Sequence, residues 1–183
     1  SIALSKILKS CSDIDKLTEC GRHLKESIRL REEKVRKYSH GKGVTGRGEK
    51  MSEKDRSHDS MLFHVGNAFT LTARRLYYTH SDVVFKTVGL EEEICTNYEV
   101  WSTLLPEKIE DLNDKSQLET CRAHLEKAFE WRNEECEQKK KIQPKKKKKK
   151  EEHKSHILEL QRMIEVIKDK TLPSIDQRMS NLV

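Results

Sequence analysis

The sequence predicts an all-α protein, an elongated helical bundle or antiparallel coiled coil of three to four long helices. Three observations carry that expectation. Apolar residues recur at three- and four-residue spacing over most of the chain, which lines them along one face of a helix. Charged residues make up 37% of the sequence and aromatic residues 5%, so the apolar stripes are narrow and suit long helices better than a rounded core. Only three prolines and seven glycines interrupt the pattern. The expected organisation is a single helical domain over 1–183: a helix at 1–39, a glycine-rich charged loop at 40–57, a long bent helix or two helices at 58–141, a basic turn at 142–150 and a C-terminal helix at 151–183.

The first helix rests on a heptad-like stripe, with Ile7, Ile14, Ile28 and Val35 at one position and Leu17, Leu24 and Tyr38 at another. Gly21 and Arg31 interrupt it. Basic residues crowd its end, where the negative end of a helix dipole favours them. From His40 to Ser57 there is almost nothing to bury, and Gly41, Gly43, Gly46 and Gly48 mark a loop. The letters G-K-G-V-T-G satisfy a dinucleotide fingerprint. No strand precedes them and no βαβ unit follows, so they predict no nucleotide site.

The helical period returns at Leu62 and runs through Val65, Phe69, Leu76, Val83, Leu90, Ile94, Tyr98, Trp101, Leu105, Ile109, Leu112, Cys121, Leu125 and Phe129. Gly89 and Pro106 are the two places for a bend. Asp82 to Val88 has strand-like propensity, but without partner strands elsewhere it is expected to be helical. A second stripe, from Ile157 through Leu160, Ile164, Ile167, Ile175, Met179 and Leu182, predicts the last helix, with Pro173 at a kink or a new first turn.

Between these helices lies the most distinctive stretch, C-E-Q-K-K-K-I-Q-P-K-K-K-K-K-K-E-E-H-K-S-H from Cys136 to His156. Pro144 lacks the N–H of an interior helical bond and pushes the residue before it out of the helical region. Two helices turning there would display Lys139, Lys140, Lys141, Lys145, Lys146, Lys147, Lys148, Lys149, Lys150 and Lys154 as one cationic patch. Such a block attracts polyanions: anionic lipid headgroups, phosphate backbones or an import receptor. Near an anionic leaflet each lysine contributes on the order of 1 kcal/mol, so these residues suffice to hold a protein at a membrane. No aromatic residue interleaves them, so base stacking is not expected and nucleic acid is the lesser partner.

Other chemistry is not expected. The eight histidines are scattered over helical faces, and neither G-x-S-x-G nor H-E-x-x-H occurs, so no enzyme and no cofactor are predicted. Cys20-x-x-His23 and Cys121-x-x-His124 would make a tetrahedral zinc set only if their helices packed together, and no C-x-x-C knuckle supports one; no metal is expected. Five irregularly spaced cysteines, no N-x-[ST] acceptor and no long apolar run point to a reducing compartment, cytoplasmic and peripheral on membranes, with the nucleus as the alternative.

The stretch Phe63 to Lys141 resembles a BAR-type domain of the sorting-nexin kind. F-H-V-G-N-A-F-T-L-T-A-R-R-L is similar to its first long helix. G-L-E-E-E-I-C-T-N-Y-E-V-W-S-T-L-L-P-E-K-I-E-D-L-N-D is similar to the passage into its second. The family's basic tip would fall on Lys139 to Lys150. The resemblance implies an antiparallel, crescent-shaped helical dimer that binds curved anionic membranes through basic residues. The chain departs from the family pattern in its glycine loop at 41–48 and in the short segment after the tip.

Taken together, the residues predict a non-enzymatic scaffold that self-associates as a homo- or heterodimer and contacts anionic lipid. Val65, Phe69, Leu76, Ile94, Tyr98, Trp101 and Leu105 are the expected interface, Trp101 its hot spot. The alternative is a helical assembly subunit of an intracellular protein complex, its lysines an import signal or a nucleic-acid contact.

Overall fold

The computed structural model describes residues 7–8, 10–41, 53–90, 97–142 and 147–182, with side chains over 7–8, 10–34, 60–90, 97–142 and 150–182. Every regular element among them is helical, as the apolar spacing predicts. Six α-helices are named here in chain order: α1 Ile14–Gly41, α2 Glu53–Thr87, α3 Leu105–Glu110, α4 Lys115–Lys141, α5 Lys147–Val166 and α6 Leu172–Asn181. Two π-helical turns join on, π1 Val100–Leu104 before α3 and π2 Ile167–Thr171 before α6. No described helix is long and apolar enough to cross a membrane.

The expected boundaries shift in three places. The ends of the 40–57 loop are helical, because α1 continues through Gly41 and α2 begins at Glu53; residues 42–52 lie outside the described residues. Among the described residues, the span 58–141 holds the rest of α2, then π1 running into α3, then α4. Lys147 to Lys150, expected in the basic turn, form the first turn of α5. Pro144 lies outside the described residues.

The chain divides into two compact units, Ser1–Thr72 and Ala73–Val183. In the first, Asp13 caps α1 by accepting the Lys16 backbone N–H at 3.1 Å. That hydrogen bond holds the Asp13 carboxyl below its usual range. Leu17 and Ile28 are buried while Ile7 and Leu30 are exposed, so only part of the stripe is covered. Arg29 pairs with Glu26 and Glu33 on the open face of α1, and Arg31 Nη1 donates to the Met61 sulfur of α2 at 3.2 Å.

The second unit begins with residues 73–87 of α2, helical through the strand-like stretch. Gly89 ends that helix. Its φ of +75° suits only glycine. There the Leu90 N–H reaches Phe85 O at 2.8 Å and the Gly89 N–H reaches Lys86 O at 3.2 Å, the two bonds of a Schellman cap. At the other end of the connection, Asp114 caps α4 by accepting the Ser116 N–H at 2.8 Å.

The core of this unit gathers on Trp101, which stacks on Tyr77 at 5.9 Å and tilts against Phe85 at 5.2 Å. Leu105, Ile109, Leu118, Leu125, Ile167 and Ile175 close around it. Prolines explain the π turns on either side. In π1 the Leu105 N–H bonds Val100 O five residues back. Trp101 O would look to residue 106 in the same way, but Pro106 has no N–H. From π2 the Thr171 hydroxyl reaches Trp101 O and Val166 O, each at 3.4 Å. Pro173 stands one residue past Leu172, whose N–H bonds Ile167 O in the same five-residue pattern.

Burial within the single chain bears on the expected interface. Leu76, Trp101 and Leu105 are 0% exposed and Phe69 is 2% exposed. The spacing correctly marks them as apolar-face residues, but this chain covers them itself, so they are not open to a second copy. Val65 is partly buried and Tyr98 is 50% exposed. Ile94 lies outside the described residues.

Candidate functional site

At the end of α4, Lys139, Lys140 and Lys141 occupy the last turn, where cations are favoured. Ile142 then leaves the helical region, at φ −88° and ψ 105°. Lys139 O, a carbonyl the helix itself cannot satisfy, accepts the Ile142 N–H at 3.1 Å and lies 2.9 Å from His153 Nε2 of α5. With Nε2 protonated, the imidazole donates and ties the end of α4 to the second turn of α5. The last turn of α4 is therefore joined to the second turn of α5.

The environments of the lysines differ. Lys140 is exposed and ion-paired with Glu137 at 2.6 Å, a contact that raises its pKa. Lys139 is partly buried. Burial, with the charge of Arg74 beside it, lowers its pKa. Lys141, Lys150 and Lys154 are exposed. Lys147, Lys148 and Lys149 are placed by their helix alone, and Lys145 and Lys146 lie outside the described residues. The first turn of α5 contains no acidic residue. Lysines there oppose the positive end of the helix dipole, at a cost of about 0.3–1 kcal/mol each at low ionic strength.

Behind this end lies a charged seam between α2 and α4. Glu135 is 0% exposed. Its carboxylate accepts from Arg74 Nε at 2.8 Å and Arg132 Nη1 at 3.0 Å, and Arg74 Nη2 lies 2.7 Å away. Arg74 Nη2 also reaches His156 Nε2 of α5 at 3.1 Å. Burial alone would raise the Glu135 pKa; His156, Arg132 and Arg74 more than offset it, and the net shift is downward. The Arg132 guanidinium lies over the Tyr77 ring at 4.2 Å.

Further along the same seam, His80 Nδ1 and His124 Nδ1 stand 2.9 Å apart. Burial, then the neighbouring imidazole, depresses His80 to about 4. Burial also lowers His124. One turn earlier on α4, burial pushes the Cys121 thiol up to about 11. The histidine of Cys121-x-x-His124 thus faces another histidine. Cys20 and His23 belong to the other unit. Among the described residues, no group of three or more His, Cys, Asp or Glu is arranged to hold a metal.

Sequence reasoning passes over this seam, although a signal for it exists. Leu118, Cys121, Leu125, Ala128, Arg132 and Glu135 are spaced three and four apart and all are buried. Arg132 and Glu135 therefore occupy stripe positions where apolar residues belong, which marks them as a paired buried charge. Arg74 and His156 carry no comparable mark.

Comparison with protein-family models, curated proteins and solved structures finds no match to this chain.

Proposed function

We propose that the chain is a non-enzymatic helical module that engages an anionic membrane surface through its lysine-rich end. The observation that carries this reading is the joining of the two helix ends by His153 and Lys139 O. It brings Lys139 to Lys141 beside a helix start occupied by Lys147 to Lys150. Lysines at that start work against the helix dipole, and a neighbouring anion would relieve the strain between them. Phosphate-bearing headgroups supply such anions at high density, with an attraction of on the order of 1 kcal/mol per lysine.

The BAR-like reading adds an elongated, antiparallel dimer whose basic tip is this end. Self-association of that kind would have to use surfaces other than Leu76, Trp101 and Leu105; Tyr98 remains half exposed.

The test is sedimentation with vesicles of mixed phosphatidylserine and phosphatidylcholine, beside pure phosphatidylcholine vesicles. The wild-type chain is expected to pellet with the anionic vesicles only. A variant with Lys145 to Lys150 changed to Gln is expected to lose at least a hundredfold in affinity. Equal pelleting of both proteins, or of neither, would reject the reading. Tight, salt-sensitive binding to duplex DNA without vesicle binding would favour the nucleic-acid alternative.

A further inference from the structure

The proposed membrane docking at the lysine-rich end does not draw on the histidine pair of α2 and α4. We propose that His80 and His124 form an acid-responsive clasp between α2 and α4, holding the helices together while they share one bridging proton and forcing them apart when each ring is protonated. The geometry dictates the proton count. Two Nδ1 atoms at 2.9 Å form a hydrogen bond only if one carries hydrogen and the other offers a lone pair. The ring centroids are 5.1 Å apart and tilted by 50°, so the rings cannot simply stack. His80 is 5% exposed, so water cannot take over the contact without the seam opening.

The nearby charges do not remove the conflict. Lys127 and Glu130, both on α4, act on His80 in opposite directions: the ammonium opposes another proton and the carboxylate favours it. Cys121, one turn away on α4, stays neutral through this range. The sign follows from where the protons bind. Opened or unfolded chain takes up protons below about pH 6.5, the ordinary histidine value, whereas in the closed chain His80 resists them down to about 4 and His124 is also held below its ordinary value. Between these values the opened form holds more protons, so falling pH weakens the closed seam. Glu135, whose carboxyl is held below its ordinary value, acts only at the acid edge of this window.

The test is hydrogen exchange on the full chain at about pH 7.5 and about pH 5, corrected for the chemical exchange rate. Protection in the helical turns around His80 and His124 is expected to fall at least fivefold, and the fall to shrink below twofold in the double variant His80→Leu, His124→Leu. An equal fall in both proteins, or none in wild type, overturns the proposal. Should the double variant fail to fold, imidazole nitrogen NMR of the wild-type chain decides. A His80 titration midpoint below about pH 6 supports the clasp, and one at or above that value overturns it.

Discussion

Helix α4 contributes to two regions that hold together by opposite means. Its first half sends Leu118, Cys121, Leu125 and Ala128 into the core around Trp101. Its second half sends Arg132, Glu135 and Gln138 into the seam behind the lysines. The apolar half is held by removal of surface from water, a graded quantity that scales with the area covered. The charged half is held by complementary partners, and losing one leaves the others buried and unpaired. One helix can thus anchor a tolerant core at one end and an exacting network at the other, where the cationic surface begins.

The largest expected effect breaks the apolar half. Trp101→Ala removes the side chain at the centre of the core and is expected to cost about 4–5 kcal/mol in denaturant unfolding. A loss under about 1 kcal/mol would mean that Trp101 is not the hub.

The next effect sharpens the contrast. Glu135→Gln is expected to cost about 3 kcal/mol, because Arg74 and Arg132 keep their charge without a counter-ion. Replacing Arg74, Arg132 and Glu135 together with Met, Met and Leu is expected to recover most of that loss, an outcome no truncation in the Trp101 core would share. The pH dependence follows the same network. Glu135 has its folded pKa lowered, so its stabilisation is complete above its unfolded value of 4.5 and is lost as pH falls through the lower folded value. Acid titration of wild type against Glu135→Gln is therefore expected to show the two stabilities converging as pH falls below 4.5.

The smallest effect concerns the junction of the two π turns. Thr171→Val keeps the shape but removes the buried hydroxyl that reaches Trp101 O and Val166 O, with an expected cost of about 1 kcal/mol. No change in unfolding free energy would show that the 3.4 Å contact contributes nothing.

Much of this architecture is legible in the amino-acid order. Periodicity places the helices, Gly89 stops one of them, and Pro173 stands at the start of the last. Periodicity also finds Leu76, Trp101 and Leu105, but an apolar stripe says only that something covers it. Whether that cover is the same chain or a second copy depends on how distant helices turn back, which local spacing does not encode. The same limit hides the seam. Arg74 and Glu135 are 61 residues apart and His80 and His124 are 44 apart, so their meeting is a property of the packing. The lysine-rich end is the reverse case: its charge is obvious in the sequence, and the structure adds that α5 starts at Lys147 rather than after the run. The π turns are legible only in hindsight, since Pro106 and Pro173 mark where a helical N–H is missing without saying that the residue before each bonds five residues back.

The most direct measurement asks whether the two lysine groups act as one surface. Vesicle affinity at several ionic strengths would be compared for wild type, for Lys139, Lys140 and Lys141 changed to Gln, for Lys147 to Lys150 changed to Gln, and for the combination. A joined patch at the α4–α5 end is expected to lose at least tenfold with either group, to lose most with both, and to show a shallower salt dependence with each removal. Full binding that survives removal of either group, or a salt dependence unchanged by the combined variant, would contradict it.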